Sequence, residues 1–539
     1  MGKATLLSTL LFLLAIFTLN IFANGPLDIW PVAWILPVLL ILFLRKHGRW
    51  FVWLLLGLIL GISSSIGNPG VLPLPSPFAE LFILFSAYIF LIPFALDRAF
   101  RKRIKDFRST LILPMAMVVL EFIGASLGPW GTWGATANSQ IDFLIFAQLA
   151  SLAGLSAISF IIYWTASSIV YLYDHRDALS SIKRYAITFP TILALVFIYG
   201  AYRLASTPDS EGMRSAAVLV SNLDMMKSIY KDHSGKTLEI TEKVDQADPE
   251  IMLLGPAMLA FIETPDAPGF KSTRDTLRRI ENESFELALK AVEEGADLLS
   301  WYEGQFFVLE SDEARLIGRA RAFARQHRLM LFTPMAVLIP GKITAGRQFM
   351  KNQIVVINAK GDVEYTYHKA KPVGGVEPVA PGDGLIPVIN YNNIRLSPVI
   401  CYDADFPALL LQTGRKNSDI VVIPSGDWHA IRQVHMNMAR FRAIENATNV
   451  FRPASRGISA VIDTRGRVLS SMDYFTSEEH LMMADVPTRG DTSIYSRIGD
   501  SFAWFCVFTL LFLWGSVFLH KRNPRDNRGG HDSKTISAL

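Results

Sequence analysis

Cys401 is the residue of this sequence that most readily suggests catalysis. It closes the apolar run at 397–400 and is one of two cysteines among the 539 residues. The other, Cys506, lies inside a hydrophobic segment near the C-terminus, so the polar part of the chain offers Cys401 no disulfide partner. A lone cysteine at the end of an apolar strand is more often inert core than nucleophile, and its neighbours must decide between the two.

Two further residues, Glu303 and Lys369, also follow predicted strands. Loops at strand ends commonly carry catalytic groups. A carboxylate can take the proton of a thiol, while an ammonium group lowers the thiol pKa and stabilises an oxyanion when the thiolate attacks a carbonyl. Taken alone, Glu303 is equally consistent with an acid at a helix start, and Lys369 with a solvated hairpin residue.

The elements that must position these side chains alternate between strands and helices. Strands are predicted at 216–220, 297–301, 329–337, 353–358, 363–368, 394–401, 419–424, 459–463 and 468–471, and helices at 283–294, 313–326 and 435–447. The turns at 360–362 and 464–466 predict hairpins. Helices alternating with apolar strands predict an α/β domain, and the hairpins argue against a purely parallel sheet.

Hydrophobic residues make up 51% of the chain, which is typical of a membrane protein. They concentrate in eight runs near the ~20 residues that span a bilayer. The runs lie at 4–24, 28–44, 50–67, 78–97, 110–127, 143–173, 186–205 and 500–520. We expect the first run to be an uncleaved helix rather than a signal peptide, because residues 23–25 form a weak cleavage site.

Basic residues predict how these helices are oriented. Six of them lie at 98–108, and others follow the second and sixth runs, whereas the loops at 25–27, 68–77 and 128–142 contain no Lys or Arg. By the positive-inside rule, the basic loops are cytoplasmic and the large polar region is extracytoplasmic. The net charge of +4 is small, and the basic residues outside the membrane are interspersed with acidic ones. The sequence therefore shows no basic patch of the kind that binds nucleic acid.

These observations predict four parts of the chain. They are a seven-helix transmembrane domain at 1–205, an extracytoplasmic catalytic domain at 206–499, a transmembrane helix at 500–520 and a disordered cytoplasmic tail at 521–539.

The candidate residues stand in contexts that resemble the Glu-Lys-Cys triad of the nitrilase, or carbon–nitrogen hydrolase, superfamily. The contexts are Trp301-Tyr302-Glu303-Gly304, Tyr367-His368-Lys369-Ala370-Lys371 and Ile400-Cys401-Tyr402-Asp403. Glu377 resembles the second glutamate of the family, and the segments at 425–428 and 438–445 resemble its later motifs. The resemblance covers about 215–490. It implies a nitrilase-like four-layer α-β-β-α sandwich with Cys401 as nucleophile, Glu303 as general base and Lys369 as oxyanion stabiliser.

The hydrophobic part narrows the resemblance to the apolipoprotein N-acyltransferases, the bacterial enzymes that add a third acyl chain to lipoproteins. Glu121-Phe122, Gly128-Pro129-Trp130, Gln148 and Gly154-Leu155-Ser156 resemble the central helices of that family. Glu121, inside an apolar run, is expected either to line a substrate channel or to form a structural hydrogen bond between helices.

The chain also departs from that family. Only 32 residues separate Lys369 from Cys401, an arm shorter than the family's, and Gly124 occurs where the family has an arginine after the glutamate. Residues 222–275 form an insertion, whose apolar stretch at 252–261 either packs in the core or contacts lipid.

The resemblance implies a two-step acyl transfer that needs no cofactor and no metal. The Cys401 thiolate attacks a phospholipid ester, and the thioester passes its acyl chain to the amine of a diacylated apolipoprotein. Glu377 is expected to hydrogen-bond Lys369 or that amine, and Trp428 either to wall an acyl channel or to be plain core.

Tyr402 and Asp403 are expected to orient the site. The implied location is a bacterial inner membrane, with the catalytic domain on the periplasmic face. Two alternatives stay open: a membrane-tethered amidase that uses water as acyl acceptor, and a non-catalytic lipoprotein-binding protein.

Overall fold

A computed structural model shows the protein as an N-terminal bundle of apolar helices, an α/β domain and a closing apolar helix. It describes residues 3–208, 210–243, 254–342, 348–374 and 376–519. The tail at 521–539, for which the sequence predicts disorder, lies outside the described residues.

The bundle consists of helices whose apolar sequences run almost without interruption. They are α1 (Lys3–Ile21), α2 (Val32–Lys46), α3 (Trp50–Gly67), α4 (Phe78–Phe90), α5 (Ile92–Arg101), α6 (Ile112–Leu127), α7 (Leu144–Ala147), α8 (Ala150–Asp174) and α9 (Lys183–Ala205). Five stretches of the described chain are long and apolar enough to cross a membrane: Trp50–Gly67, Phe78–Arg101, Phe107–Leu127, Ala150–Asp174 and Ser180–Ala205. The predicted multi-pass helical membrane domain is confirmed.

Three of the eight predicted spans are not among these five stretches. They correspond to α1, the 15-residue α2 and the closing helix Ser501–Leu519. In α2 the apolar sequence ends at Arg45 and Lys46, two charged residues in the last turn. Whether these helices also cross the membrane, and hence the division into seven helices plus one, stays a prediction.

The run predicted at 143–173 is not one continuous helix. It contains the single turn α7 and then α8, whose first residues are interrupted at Ala153 and Gly154. Gly154 has a φ of +70°, and a Cβ there would lie 2.7 Å from the Tyr495 ring. A larger residue would therefore be disfavoured both by the backbone conformation and by this close approach.

The α/β domain contains two mixed sheets. Its strands are β1 (Gly212–Val218), β2 (Leu298–Trp301), β3 (Phe306–Leu309), β4 (Met330–Leu338), β5 (Met350–Ile357), β6 (Val363–His368), β7 (Ile389–Tyr391), β8 (Ile394–Pro398), β9 (Ile420–Val422), β10 (Ser425–Gly426), β11 (Asn449–Arg452), β12 (Ala454–Ser455), β13 (Ile458–Ile462), β14 (Val468–Asp473) and β15 (Leu481–Pro487). The first sheet has the order β15-β1-β2-β4-β5-β6, with β3 also paired to β4, and the second has the order β14-β13-β11-β9-β8-β7. The short strands β10 and β12 pair separately.

Helices cover the outer face of each sheet. The helices after the bundle are α10 (Leu223–Ser234), α11 (Leu254–Glu263), α12 (Lys271–Glu293), α13 (Glu313–His327), α14 (Pro407–Arg415), α15 (Arg432–Asn446), α16 (Ile494–Ile498) and α17 (Ser501–Leu519). Phe285 of α12 and Leu316 of α13 pack on the first sheet. Apolar residues of both sheets share one core, which includes Ile354 and Val421, and Ala443 of α15 packs on the second sheet. The predicted four-layer α-β-β-α sandwich is confirmed.

Every predicted strand has a counterpart within a few residues. The elements that were not predicted are β3, β7, β10, β11, β12, β15, α10, α11, α14 and α16. The segment of β15 precedes the closing helix, yet it pairs antiparallel with β1, so that Gly212 lies opposite Pro487. Such a pairing joins the two ends of the domain, and local sequence patterns do not reveal it.

The described residues of the insertion at 222–275 pack mainly against the α/β domain. Helices α10 and α11 form a small core with the start of α12, in which Ala257 and Phe261 are buried. Leu259 is 36% exposed. Of the two sequence-based interpretations, packing in the core therefore describes the stretch from Leu254 onward, while 252–253 lie outside the described residues.

Candidate active site

The structure brings Glu303, Lys369 and Cys401 together with Glu377. The Lys369 Nζ donates to Glu303 Oε1 at 2.8 Å and to Glu377 Oε1 at 2.5 Å. The lysine side chain is completely buried. The Cys401 Sγ faces the carbonyl oxygen of Gly426 at 3.8 Å, and the neighbouring Glu303 carboxylate raises the pKa of the thiol.

The ends of strands from both sheets position these groups. Glu303 follows β2 and Lys369 follows β6, both in the first sheet, whereas Cys401 follows β8 in the second. Glu303 is fixed further by the Asn352 Nδ2, which donates to Oε1 at 2.8 Å, and by the Gly426 N–H, which donates to Oε2 at 3.0 Å. Asn352 was not predicted, because nothing in the pattern of β5 distinguishes it from other strand residues.

The backbone at Cys401 is strained. Its φ of 44° lies in the left-handed region, which side chains other than glycine rarely adopt. Cys401 starts a single 3₁₀ turn, Cys401–Asp405, which we call the nucleophile turn. Strain of this kind costs about 1–3 kcal/mol and persists only where the surroundings enforce it, commonly at functional sites.

The charges around the thiol define its resting state. Burial and the negative charge of Glu303 raise the pKa of the Cys401 thiol well above its ordinary value. Burial alone would raise the pKa of Glu303, but Lys369 and the hydrogen bonds to the carboxylate hold it below its usual range. Burial would lower the pKa of Lys369, yet the two glutamates raise it well above 10.5. The site therefore rests as thiol, carboxylate and ammonium, with Glu303 ready to accept the thiol proton.

Asp403 clamps the loop after Lys369 to the nucleophile turn. Its Oδ1 accepts from the Lys371 N–H at 2.7 Å, and its Oδ2 accepts from the Tyr367 hydroxyl at 2.8 Å. Burial raises the pKa of Asp403 to about 6. The carboxylate thus orients two loops that come from different sheets.

Tyr402 connects the site to the helical bundle. Its hydroxyl donates to the carbonyl of Pro129, in the segment that follows α6. We call residues 129–133 the docking loop, because Thr132 also donates from its N–H to the Asp405 carbonyl at 3.0 Å. In the docking loop, Gly131 has a φ of +55°, and a Cβ there would lie 2.5 Å from that carbonyl.

A cavity of about 530 Å³ opens beside Cys401 and continues into the bundle. Near the thiol it is lined by Val373, Glu377, Tyr402, Gly426 and Trp428, and deeper by Leu36, Leu60, Ile83, Phe90 and Met117. Along α6 its lining extends from Ala125 to Met117, which corresponds to about 12 Å at the rise of an α-helix. The thiol therefore faces a mostly apolar space between membrane helices.

Two residues predicted for a substrate channel both line this cavity. Trp428 is only partly buried, so it is not plain core, and its Nε1 donates to the Gly70 carbonyl at 2.7 Å. Glu121 also forms hydrogen bonds between helices: Oε1 accepts from the Thr136 N–H at 2.9 Å and Oε2 from the Ser159 hydroxyl at 2.6 Å. The structural hydrogen bonds expected of Glu121 are therefore present, and its role in a substrate channel stays a prediction.

Sequence reasoning missed a buried charged cluster behind the nucleophile turn. His435 lies between Asp405, with Nε2 3.3 Å from Oδ1, and Asp427, with Nδ1 2.7 Å from Oδ1. Burial would lower the pKa of His435, but the two carboxylates raise it to about 9. Arg452 donates to both Asp427 oxygens at 2.9 and 2.8 Å. The motif at 425–428 was noted, but its aspartate was not singled out.

Donor atoms of Cys401, Asp427 and His435 lie within 4.8 Å of one another, a set that could hold a metal ion. The Asp427 oxygens are already paired with Arg452, and His435 is protonated at neutral pH. Two positive charges at the same place disfavour a cation there.

Comparison with known proteins agrees with this architecture. Residues 10–168 match the family model "Apolipoprotein N-acyltransferase N-terminal domain", and residues 276–491 match "Carbon-nitrogen hydrolase". The apolipoprotein N-acyltransferase of Geobacter metallireducens is 25% identical over 84% of this chain and 82% of that protein. Apolipoprotein N-acyltransferase 1 of Treponema denticola is 23% identical over 82% of each chain.

Among solved structures, a mutant of the amidase from Nesterenkonia sp. AN1 covers 52% of this chain and 93% of its own, with 18% identity and a TM-score of 0.36. The two matched family models together cover both the helical bundle and the α/β sandwich. With these matches and relatives aligned over most of its length, the chain belongs to the apolipoprotein N-acyltransferase family and is an acyltransferase of lipoprotein biosynthesis.

Proposed function

We propose that the protein transfers a fatty acyl chain from a membrane phospholipid to the N-terminal amine of diacylglyceryl-cysteine lipoproteins, through a thioester on Cys401. The observation that carries this proposal is the cavity, which joins the thiol to the apolar interior of the bundle. The cavity lets the chain of a membrane lipid reach the thiol without exposure to water, which would cost about 0.8 kcal/mol for each CH₂ group. A small soluble amide would not fill such an apolar cavity.

The first step forms the thioester. Glu303 takes the proton of Cys401 while the sulfur bonds to the ester carbonyl carbon, and the Lys369 ammonium stabilises the oxyanion. When the tetrahedral intermediate collapses, the ester C–O bond breaks. The leaving lysophospholipid oxygen receives the proton that Glu303 holds.

The second step transfers the chain. The lipoprotein amine attacks the thioester carbonyl, Glu303 removes a proton from the amine, and the C–S bond breaks to return the thiol. Glu377, which holds the other side of Lys369, keeps the ammonium directed at the reacting carbonyl in both steps. No residue of the mechanism requires a cofactor.

The test is to follow the acyl chain in two stages. Purified protein is incubated with a phospholipid carrying a labelled chain, and the mass of the Cys401 peptide is measured. A diacylated lipopeptide or buffer alone is then added. We expect a thioester on Cys401 whose label moves to the peptide amine. Release of the label only as free fatty acid would support a water-using amidase, and absence of any adduct would support a non-catalytic binding protein.

Replacement of Gly124 with leucine should narrow the cavity. Gly124 lines it on α6, and a Cβ there meets no atom within 4 Å, so a side chain can begin there without a backbone clash. Since losing contact with two CH₂ groups costs about 1.6 kcal/mol, the KM for a long-chain donor should rise roughly tenfold. Gly515→Leu on α17, where a Cβ is equally free, is the matched control. Equal kinetics of the two variants would contradict a chain in this cavity.

The orientation proposed for the catalytic domain is periplasmic, in a bacterial inner membrane. The first turns of α8 contact the α/β domain, where the Leu155 N–H donates to Glu445. Its last residue, Asp174, pairs with Arg45 and Arg101. Nineteen residues of helix separate these contacts, about 28 Å, which is close to the thickness of the hydrocarbon core. The basic ends of the bundle thus lie opposite the catalytic domain, as the positive-inside rule requires for this orientation.

A fusion experiment tests the topology. A phosphatase that is active only outside the cytoplasm should be active when fused after Ser300 and silent when fused after Arg522. A β-galactosidase fused at the same two positions should give the opposite pattern. If the phosphatase is silent at Ser300 and active at Arg522, the catalytic domain faces the cytoplasm and cannot process exported lipoproteins.

A further inference from the structure

The nucleophile turn is held at its far end by groups outside the proposed chemistry. Its last residue, Asp405, is completely buried. The Asp405 Oδ2 accepts from the Trp133 Nε1 at 2.7 Å, and its Oδ1 lies 3.3 Å from the His435 Nε2. Its backbone carbonyl accepts from the Thr132 N–H and hydroxyl at 3.0 and 3.2 Å. Asp405 is therefore a junction between the docking loop of the bundle and the α/β core.

His435 connects this junction to the opposite wall of the site. Its other nitrogen, Nδ1, contacts Asp427, which Arg452 holds through both oxygens. Asp427 follows Gly426, whose N–H binds Glu303 and whose carbonyl faces the thiol. A continuous series of contacts thus runs from the membrane bundle to two side chains of the proposed mechanism.

We propose that Trp133 and His435 are positioning residues for acyl transfer, which hold the Asp405 carboxylate between them and so direct Cys401 toward Glu303 and the cavity while the docking loop is in place. The proposal rests on the function proposed above, because it assigns these residues a part in that reaction. Hydrogen bonds to charged groups in a buried, low-dielectric setting enforce geometry strongly. The left-handed backbone of Cys401 is the conformation that needs such enforcement.

The charge state of His435 fits this role. With its pKa raised to about 9, the ring is an imidazolium at neutral pH, so each nitrogen carries a proton for one of the two facing carboxylates. Its ring also lies against Trp133, with the ring centres 5.9 Å apart. The two positioning residues therefore contact each other as well as Asp405.

Trp133→Phe is the first test, because it removes one N–H and keeps an aromatic ring. The matched control is Trp34→Phe, which removes an equivalent indole bond, from Nε1 to Gln140 at 2.8 Å, elsewhere in the bundle. The readouts are kcat, KM and the rate of Cys401 alkylation by iodoacetamide, measured on its peptide with a cysteine-free peptide of the same protein as internal reference. We expect Trp133→Phe to lower kcat and the alkylation rate about tenfold with KM within twofold. Trp34→Phe should change neither kcat nor the alkylation rate. If the two variants have the same kcat and the same alkylation rate, the proposal is overturned.

Two replacements of His435 separate its two contacts. The amide nitrogen of glutamine lies near Nε2 and keeps the contact with Asp405, whereas that of asparagine lies near Nδ1 and keeps the hydrogen bond to Asp427. If His435 positions the turn, His435→Gln retains more activity than His435→Asn. If it only supports the core around Asp427, asparagine is the better replacement. If thermal unfolding shows that neither His435 variant folds, the comparison of Trp133→Phe with Trp34→Phe decides whether the proposal holds.

Combining the substitutions tests whether the two residues act through Asp405. In a double-mutant cycle, Trp133→Phe should reduce the alkylation rate much less in the His435→Asn background than in the native protein. Additive effects would overturn the proposal. Alkylation needs neither lipid nor lipoprotein, so its outcome is independent of the acyl-transfer assay. If Trp133→Phe slows alkylation but the native protein acylates no lipoprotein, the positioning role is retained and the proposed function is rejected. If the native protein acylates lipoprotein but Trp133→Phe leaves the alkylation rate unchanged, the proposed function is retained and the positioning role is rejected.

Discussion

Cys401→Ala is expected to abolish lipoprotein acylation while the protein stays folded. The sulfur is the nucleophile that the protein supplies in the proposed mechanism, and its removal leaves Glu303 and Lys369 with no atom that can hold the acyl chain. The thiol is 6% exposed, so the smaller side chain leaves only a small additional space next to an existing cavity. Mass spectrometry of a reporter lipoprotein, in cells that depend on this protein, measures the result.

Cys401→Ser sharpens the same experiment, since it keeps the size and polarity of the side chain. A serine hydroxyl is far harder to deprotonate than a thiol, and Glu303, with a pKa below its usual range, is a weak base. The serine variant should therefore be nearly as inactive as the alanine variant. Thermal unfolding of both variants checks the fold. Normal acylation by Cys401→Ala would refute the assignment of the nucleophile.

Glu303→Gln should be the next most damaging change. The amide keeps the shape of the side chain but cannot accept the thiol proton, and general bases contribute about 10² to 10⁴ to a rate. Thioester formation, followed as the mass of the Cys401 peptide after mixing with donor, should slow by that factor. The oxygen that accepts from Asn352 and Lys369 can remain in place, so binding of the donor should change little.

Glu281→Gln is the matched control for loss of a buried carboxylate. Its side chain is 10% exposed, as is that of Glu303, and it pairs with Arg315 and Arg319 on the outer face of the first sheet. It should lower the stability of the protein without changing the rate of thioester formation. If the two glutamine variants form the thioester equally fast, Glu303 is not the base.

Much of this architecture could be predicted from local sequence, because local patterns determine strands, hairpins and apolar helices. The three candidate residues each follow a strand, and the rule that catalytic groups occupy strand ends was enough to propose that they meet. The two sheets then bring Glu303 and Cys401, 98 positions apart, to the same Gly426, whose N–H binds the carboxylate and whose carbonyl faces the thiol. Asn352 escaped prediction because it lies inside a strand rather than at its end.

Contacts between the bundle and the α/β domain could not be predicted from local sequence patterns. Trp133 and Asp405 are 272 residues apart, and Tyr402 meets Pro129 across 273. The break at Gly154 was also missed, since hydropathy does not distinguish one long helix from a short turn followed by a helix. Gly131 in the docking loop and Gly154 at the break in α8 both have positive φ values. A single sequence does not say which glycines adopt such a conformation.

The cavity beside Cys401 has a consequence for how the protein selects its substrate. Its walls are the same side chains that pack α2, α3, α4 and α6 against one another, including Leu36, Leu60 and Met117, each almost completely buried. In the proposed reaction, a bound acyl chain therefore occupies the interior of the bundle much as a core side chain would. Selectivity between chains then follows the rules of core substitutions, where one methylene too few leaves a void and one too many forces strain. For this enzyme, mutations that repack the membrane core are at the same time mutations of substrate preference.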